Sequence, residues 1–161
     1  MRRRQVEFLH RFYRDHRREL FTYALSLTHC GDSAEDAVHT AFARILERGR
    51  LPRELRPYAF RCVRNAAIDH LRIASREVHD ESLFDGAQPK ASAEDARLRM
   101  DFEKLLEALS DDERECIILK VYSSLTFNEI SDLRGVSINT AASWYRRGIE
   151  KLRRAMSEGL Q

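Results

Sequence analysis

LTFNEISDLRGVSINTAASWYRRGIEKLRR, residues 125–154, is the stretch on which the fold turns. Thr126 with Glu129 three residues on forms a capping box, in which hydroxyl and carboxylate each satisfy an orphan backbone N–H. Apolar Phe127, Ile130 and Leu133 then recur at helical spacing. Gly135 permits positive φ at a tight turn, and Ser137 is a good N-cap for the next helix. The pattern predicts a helix-turn-helix, whose second helix has the geometry to enter the major groove of DNA. Asn139, Thr140 and Ser143 offer short polar groups suited to base edges, and Arg146 and Arg147 suit the phosphate backbone. A helix-turn-helix used for protein docking is the competing reading.

Working back toward the N-terminus, Ser110 with Glu113 is a second capping box, opening a helix that carries Ile117, Ile118, Val121 and Tyr122. Ser92 with Asp95 starts another, with Leu98, Phe102, Leu105, Leu106 and Leu109 on one face. Before it, residues 77–95 are acidic and contain Gly86 and Pro89, without usable periodicity; they read as a flexible linker.

The first module is three helices. Leu9, Phe12, Leu20, Tyr23, Ala24 and Leu27 make one amphipathic helix from about Val6 to His29, with Gly31 at its C-terminal end. Ser33 with Asp36 starts the second, striped by Ala37, Val38, Ala41, Phe42, Ile45 and Leu46. After an arginine-rich break at 49–57, Pro57 opens the third, which runs to about Arg76. On it Arg61, Arg64, Asn65, Ile68 and Arg72 share a face, with Tyr58 one turn earlier beside the Arg53/Arg56 loop. Cations at that spacing track a phosphate backbone, and Tyr58 offers a ring on which an unpaired base stacks. The bland alternative is a solvated basic face, and Phe60 belongs to the core.

Composition agrees with an all-α chain. Hydrophobic residues are 43% and charged residues 34% of 161, with six Gly and three Pro. The net charge of +2 hides a gradient. Residues 1–76 hold 16 Lys/Arg against 9 Asp/Glu, residues 77–95 hold 1 against 6, and residues 96–161 hold 11 against 11. A basic front module points to a polyanionic partner. No apolar run approaches the roughly 18 residues that span a bilayer, and charges interrupt the start where a signal peptide would be apolar. Cys30, Cys62 and Cys116 are odd in number and far apart, which argues against a disulfide framework and for a reducing cytoplasm. His10, His16, His29, His39, His70 and His79 are scattered with no metal-ligand spacing. With no phosphate loop or nucleophile motif either, neither an enzyme nor a cofactor is expected.

Three segments carry a family resemblance. SAEDAVHTAFARIL (33–46), PYAFRCVRNAAIDHLR (57–72) and the run from Leu109 to Arg154 resemble, in that order, three parts of sigma-70-type factors. They look like the core-polymerase-binding helix, the −10-reading helix and the −35-reading helix-turn-helix of the short extracytoplasmic-function (ECF) group. The resemblance implies domains at 1–76 and 96–161 around the linker, with core RNA polymerase, promoter DNA and an anti-sigma factor as partners. By position, Glu35, Asp36, His39, Thr40, Ala43, Arg44 and Glu47 would dock on polymerase. Arg53, Arg56, Tyr58, Arg61, Arg64, Asn65 and Arg72 would hold the melted −10 strand, where extruding a base costs a few kcal/mol. Ser137, Asn139, Thr140, Ser143, Arg146 and Arg147 would read −35 duplex. Tyr58 stands where the family often has Trp, and Ala142 and Trp144 stand where it often has basic residues. Those departures keep two alternatives in play: a sigma-like decoy that binds an anti-sigma protein, and a stand-alone helix-turn-helix regulator.

Overall fold

The computed structural model describes residues 3–77 and 107–159. Every regular element among them is helical, and they belong to two compact units. The linker from residue 78 and the helix expected from Ser92 to about Leu109, up to residue 106, lie outside the described residues, and Leu109 is buried.

The first unit is α1 (Arg3–Thr28), α2 (Gly31–Glu47) and α3 (Leu55–Glu77). Its core takes Leu9, Phe12, Leu20, Tyr23 and Ala24 from α1, and Ala34, Ala37, Val38, Ala41, Phe42 and Ile45 from α2. Ala59, Phe60, Val63, Ala66 and Ala67 of α3 complete it. The alanines of α2 and α3 let those helices approach closely, and rings fill the remaining space. Tyr23 and Phe60 meet at 5.4 Å between centroids, Tyr13 and Phe42 at 4.8 Å. Full burial of a ring such as Phe60 stabilises by about 2–3 kcal/mol.

Three expectations need correction here. Gly31 does not end α1. The reversal is complete two residues earlier, where His29 adopts φ 54° and Cys30 becomes the N-cap of α2 without a side-chain cap bond. The cause is Thr28, whose hydroxyl lies 3.1 Å from the Ala24 carbonyl and 3.5 Å from the Cys30 N–H, closing the turn early. Ser33 therefore sits inside the first turn rather than capping it. Leu46, expected in the core stripe, is 41% exposed because Ile45 fills that position at the end of α2. The third helix starts at Leu55, itself buried, and Pro57 falls within its first turn, as expected.

The second unit is α4 (Asp111–Ile117), a π-helical turn (Ile118–Tyr122), α5 (Phe127–Arg134) and α6 (Ile138–Gly159). Both capping boxes form as expected, at Ser110/Glu113 and Thr126/Glu129. Gly135 takes φ 67° between α5 and α6, a conformation in which a β-carbon is strained. The helix expected through Tyr122 is not regular. Its last carbonyls bond further ahead, Ile118 to the Ser123 N–H and Leu119 to the Leu125 N–H. The wider ring rotates the following residues, keeping Leu119 and Leu125 fully buried while Val121 and Tyr122 turn outward.

α4 and α6 pack unusually close. A β-carbon on Gly148 would sit 2.6 Å from Ile117 Cδ1. The Cys116 thiol, buried against the same helix, donates to the Ala141 carbonyl at 3.2 Å. Burial pushes that thiol up to about 11, so it stays protonated and keeps donating.

Candidate nucleic-acid interface

α3 presents the first charged surface. Arg64, Asn65, Ile68, Asp69 and Arg72 line an open groove of about 370 Å³, closed on its other side by Arg44 of α2. The Arg44–Asp69 ion pair at 3.1 Å braces the two walls. Arg44, expected among the polymerase-facing residues, is thus also a wall of this groove. Asp69 thereby links α3 to α2. Arg61 is exposed on the same helix, outside the groove lining.

The first turn of α3 is tied down by Arg56. Arg56, expected to grip nucleic acid, donates to Glu19 at 2.8 Å and lies 5.8 Å from the Phe60 ring centroid. That ties the start of α3 to α1. Arg53 remains exposed. Tyr58 is half-buried; its hydroxyl accepts from Arg48 at 2.8 Å, and the Arg48 guanidinium lies 5.1 Å from its ring centroid. Arg48 thereby fixes the ring orientation, a role that sequence reasoning missed. The available signal was the Arg44/Arg48 pair, one turn apart at the end of α2. Cys62, one turn beyond Tyr58, has its thiol pushed up by burial despite the Tyr58 hydrogen bond and nearby arginines.

The second surface is the face of α6. Ser137 caps it, accepting from the Thr140 N–H at 3.0 Å, and its hydroxyl also bonds Thr140 Oγ1 at 2.8 Å. Asn139, Ser143 and Arg146, at i, i+4 and i+7, form one stripe, exposed at Asn139 and Arg146 and half-buried at Ser143. Arg147 leans the other way, its Nε 3.4 Å from Glu113 Oε1, with Lys151 Nζ 2.7 Å from the other oxygen. Trp144 packs on Arg134, whose Cζ lies 4.8 Å from the ring centroid.

The outer face of α2 is a third surface. Glu35, Asp36, His39, Ala43, Arg44 and Glu47 are exposed and Thr40 is half-buried. Leu46 adds an apolar residue to that face. Among the described residues no group of three His, Cys, Asp or Glu side chains is placed to hold a metal, and no helix is long and apolar enough to cross a membrane.

Known proteins share this arrangement. The family described as Sigma-70 region 2 matches residues 12–77, and Sigma-70 region 4 matches residues 99–152. The RNA polymerase sigma factor CarQ of Myxococcus xanthus is 34% identical over 80% of this chain and 77% of its own length. The ECF RNA polymerase sigma factor SigE of Mycolicibacterium smegmatis is 25% identical, over 87% of this chain and 58% of its own. Among solved structures, RpoE bound to the anti-sigma factor NepR from Bartonella quintana superposes with a TM-score of 0.67 at 24% identity. That match covers 91% of this chain and 96% of the other. CnrH bound to the cytosolic domain of CnrY gives 0.68 at 19% identity, over 93% and 88%. At such identities these two establish likeness of fold.

Proposed function

From the premise that the chain belongs to the sigma-70 family, in its ECF group of non-enzymatic transcription initiation factors, we propose that it directs core RNA polymerase to specific promoters and assists −10 melting. The division of labour follows the surfaces. The exposed face of α2 docks on polymerase, with Leu46 at its C-terminal end. The arginine-bordered groove and Tyr58 hold the separated −10 strand, cations on phosphates and ring on base. The α6 stripe reads duplex upstream. We assign the domains to residues 1–76 and 96–161, the action to the cytoplasm, and a resting state to an anti-sigma partner of the kind bound to the Bartonella quintana relative.

One observation carries the reading: a single chain holds both a capped helix-turn-helix and an α3 groove walled by Arg44, Arg64 and Arg72. Purified chain, core polymerase and genomic template together should yield transcripts with shared upstream motifs. Co-elution with polymerase but no transcripts would mean a decoy. Failure to co-elute would mean a stand-alone regulator.

A further inference from the structure

Arg134 is the last residue of α5, and its side chain is only 10% exposed. Its guanidinium reaches Asp112 at 2.5 Å and Glu115 at 2.6 Å, both on α4. Glu115 is itself buried. The face of the same guanidinium lies against the ring of Trp144, on α6. One side chain therefore joins the scaffold helix, the first helix of the helix-turn-helix and the recognition helix. Asp112 is half-exposed, but Glu115 and the guanidinium are buried together, so losing either member of that pair leaves a charge uncompensated. A flat indole over the guanidinium both attracts it and keeps water away.

Trp144 follows Ser143 directly, so at about 100° per residue it is turned about 100–160° from the members of the stripe of Asn139, Ser143 and Arg146. It faces the scaffold, not the reading surface. We propose that Trp144 is a positioning residue for duplex reading. Its ring, seated on Arg134, sets the angle from which Asn139, Ser143 and Arg146 reach base edges, and it makes no contact with DNA. This rests on the reading of α6 as the upstream-duplex reader.

Trp144 is the only tryptophan in the chain, which makes it its own reporter. Replacing it with 5-hydroxytryptophan allows selective excitation within the holoenzyme formed with core polymerase. The duplex probe is the upstream element that this holoenzyme selects from a randomised pool. Binding should leave the emission in place. At a temperature where circular dichroism shows each variant folded, Trp144→Ala should weaken duplex binding about tenfold, comparable to one mismatched base pair. Its salt dependence should be unchanged, because no phosphate contact is lost. Trp144→Phe, which keeps a ring over Arg134, should restore most of the affinity. Strong quenching by duplex, or a Phe variant as weak as the Ala variant, would overturn the proposal while leaving α6 a reader. If the wild type selects no upstream element, the reading of α6 fails and the proposal falls with it. Should the Ala variant not fold, emission from the labelled wild type decides the question.

Discussion

Glu113 does three things with one carboxylate. It closes the capping box by accepting from the Ser110 N–H at 3.1 Å, and it pairs with both Lys151 and Arg147 on α6. Burial alone would raise its pKa, but the Lys151 and Ser110 hydrogen bonds outweigh that and hold it below the ordinary 4.5. A depressed folded pKa contributes stability above the unfolded value, and that contribution is lost as pH falls from about 4.5 toward the folded value. Glu113→Gln should cost about 1 kcal/mol at neutral pH, because the buried carboxylate loses its charge-assisted bonds to two half-exposed, solvent-screened cations. In thermal melts across pH its acid limb should be flatter than that of the wild type. An equally steep limb would remove Glu113 from the account. Gly148 acts at the same scale through space rather than charge. Alanine there gains about 1 kcal/mol of helix propensity but displaces Ile117 Cδ1, an overpacking cost of about 1–3 kcal/mol. Gly148→Ala should therefore lower stability by about 1 kcal/mol. The loss should shrink in an Ile117→Val background, which lacks the obstructing methyl; equal losses in both backgrounds would refute the contact.

At the scale of elements, the proposed division of work between α3 and α6 follows side-chain type. α3 borders its groove with guanidinium groups, while α6 opens with a hydroxyl and an amide. Arg61→Ala with Arg64→Ala should reduce the slope of log binding against log salt by about one unit per lost phosphate contact. A titration of holoenzyme on promoter DNA measures this, and an unchanged slope contradicts a phosphate role. Much of this was legible in the residues. The boxes at Ser110/Glu113 and Thr126/Glu129 and the turn at Gly135 are local, each set by partners three or four positions apart. What escaped notice depends on packing between elements. The π turn exists so that Leu119 and Leu125 both reach the core, and no periodicity announces it. Arg56 reads as a free cation until Glu19, from another helix, is seen beside it. Arg134 likewise reads as a surface residue, and only the meeting of three helices buries it.

At the scale of the whole molecule, the proposed function requires two helical units to reach one DNA target through polymerase. Each unit holds its own core, so each surface is set independently of the other. A permanganate and nuclease footprint of the holoenzyme on a selected promoter tests this joint claim most directly. The account predicts two blocks of protection, with unpaired thymines in the downstream block alone. Asn139→Ala with Arg146→Ala should erase the upstream block first. A single block, or two blocks with no reactive thymine, would contradict it.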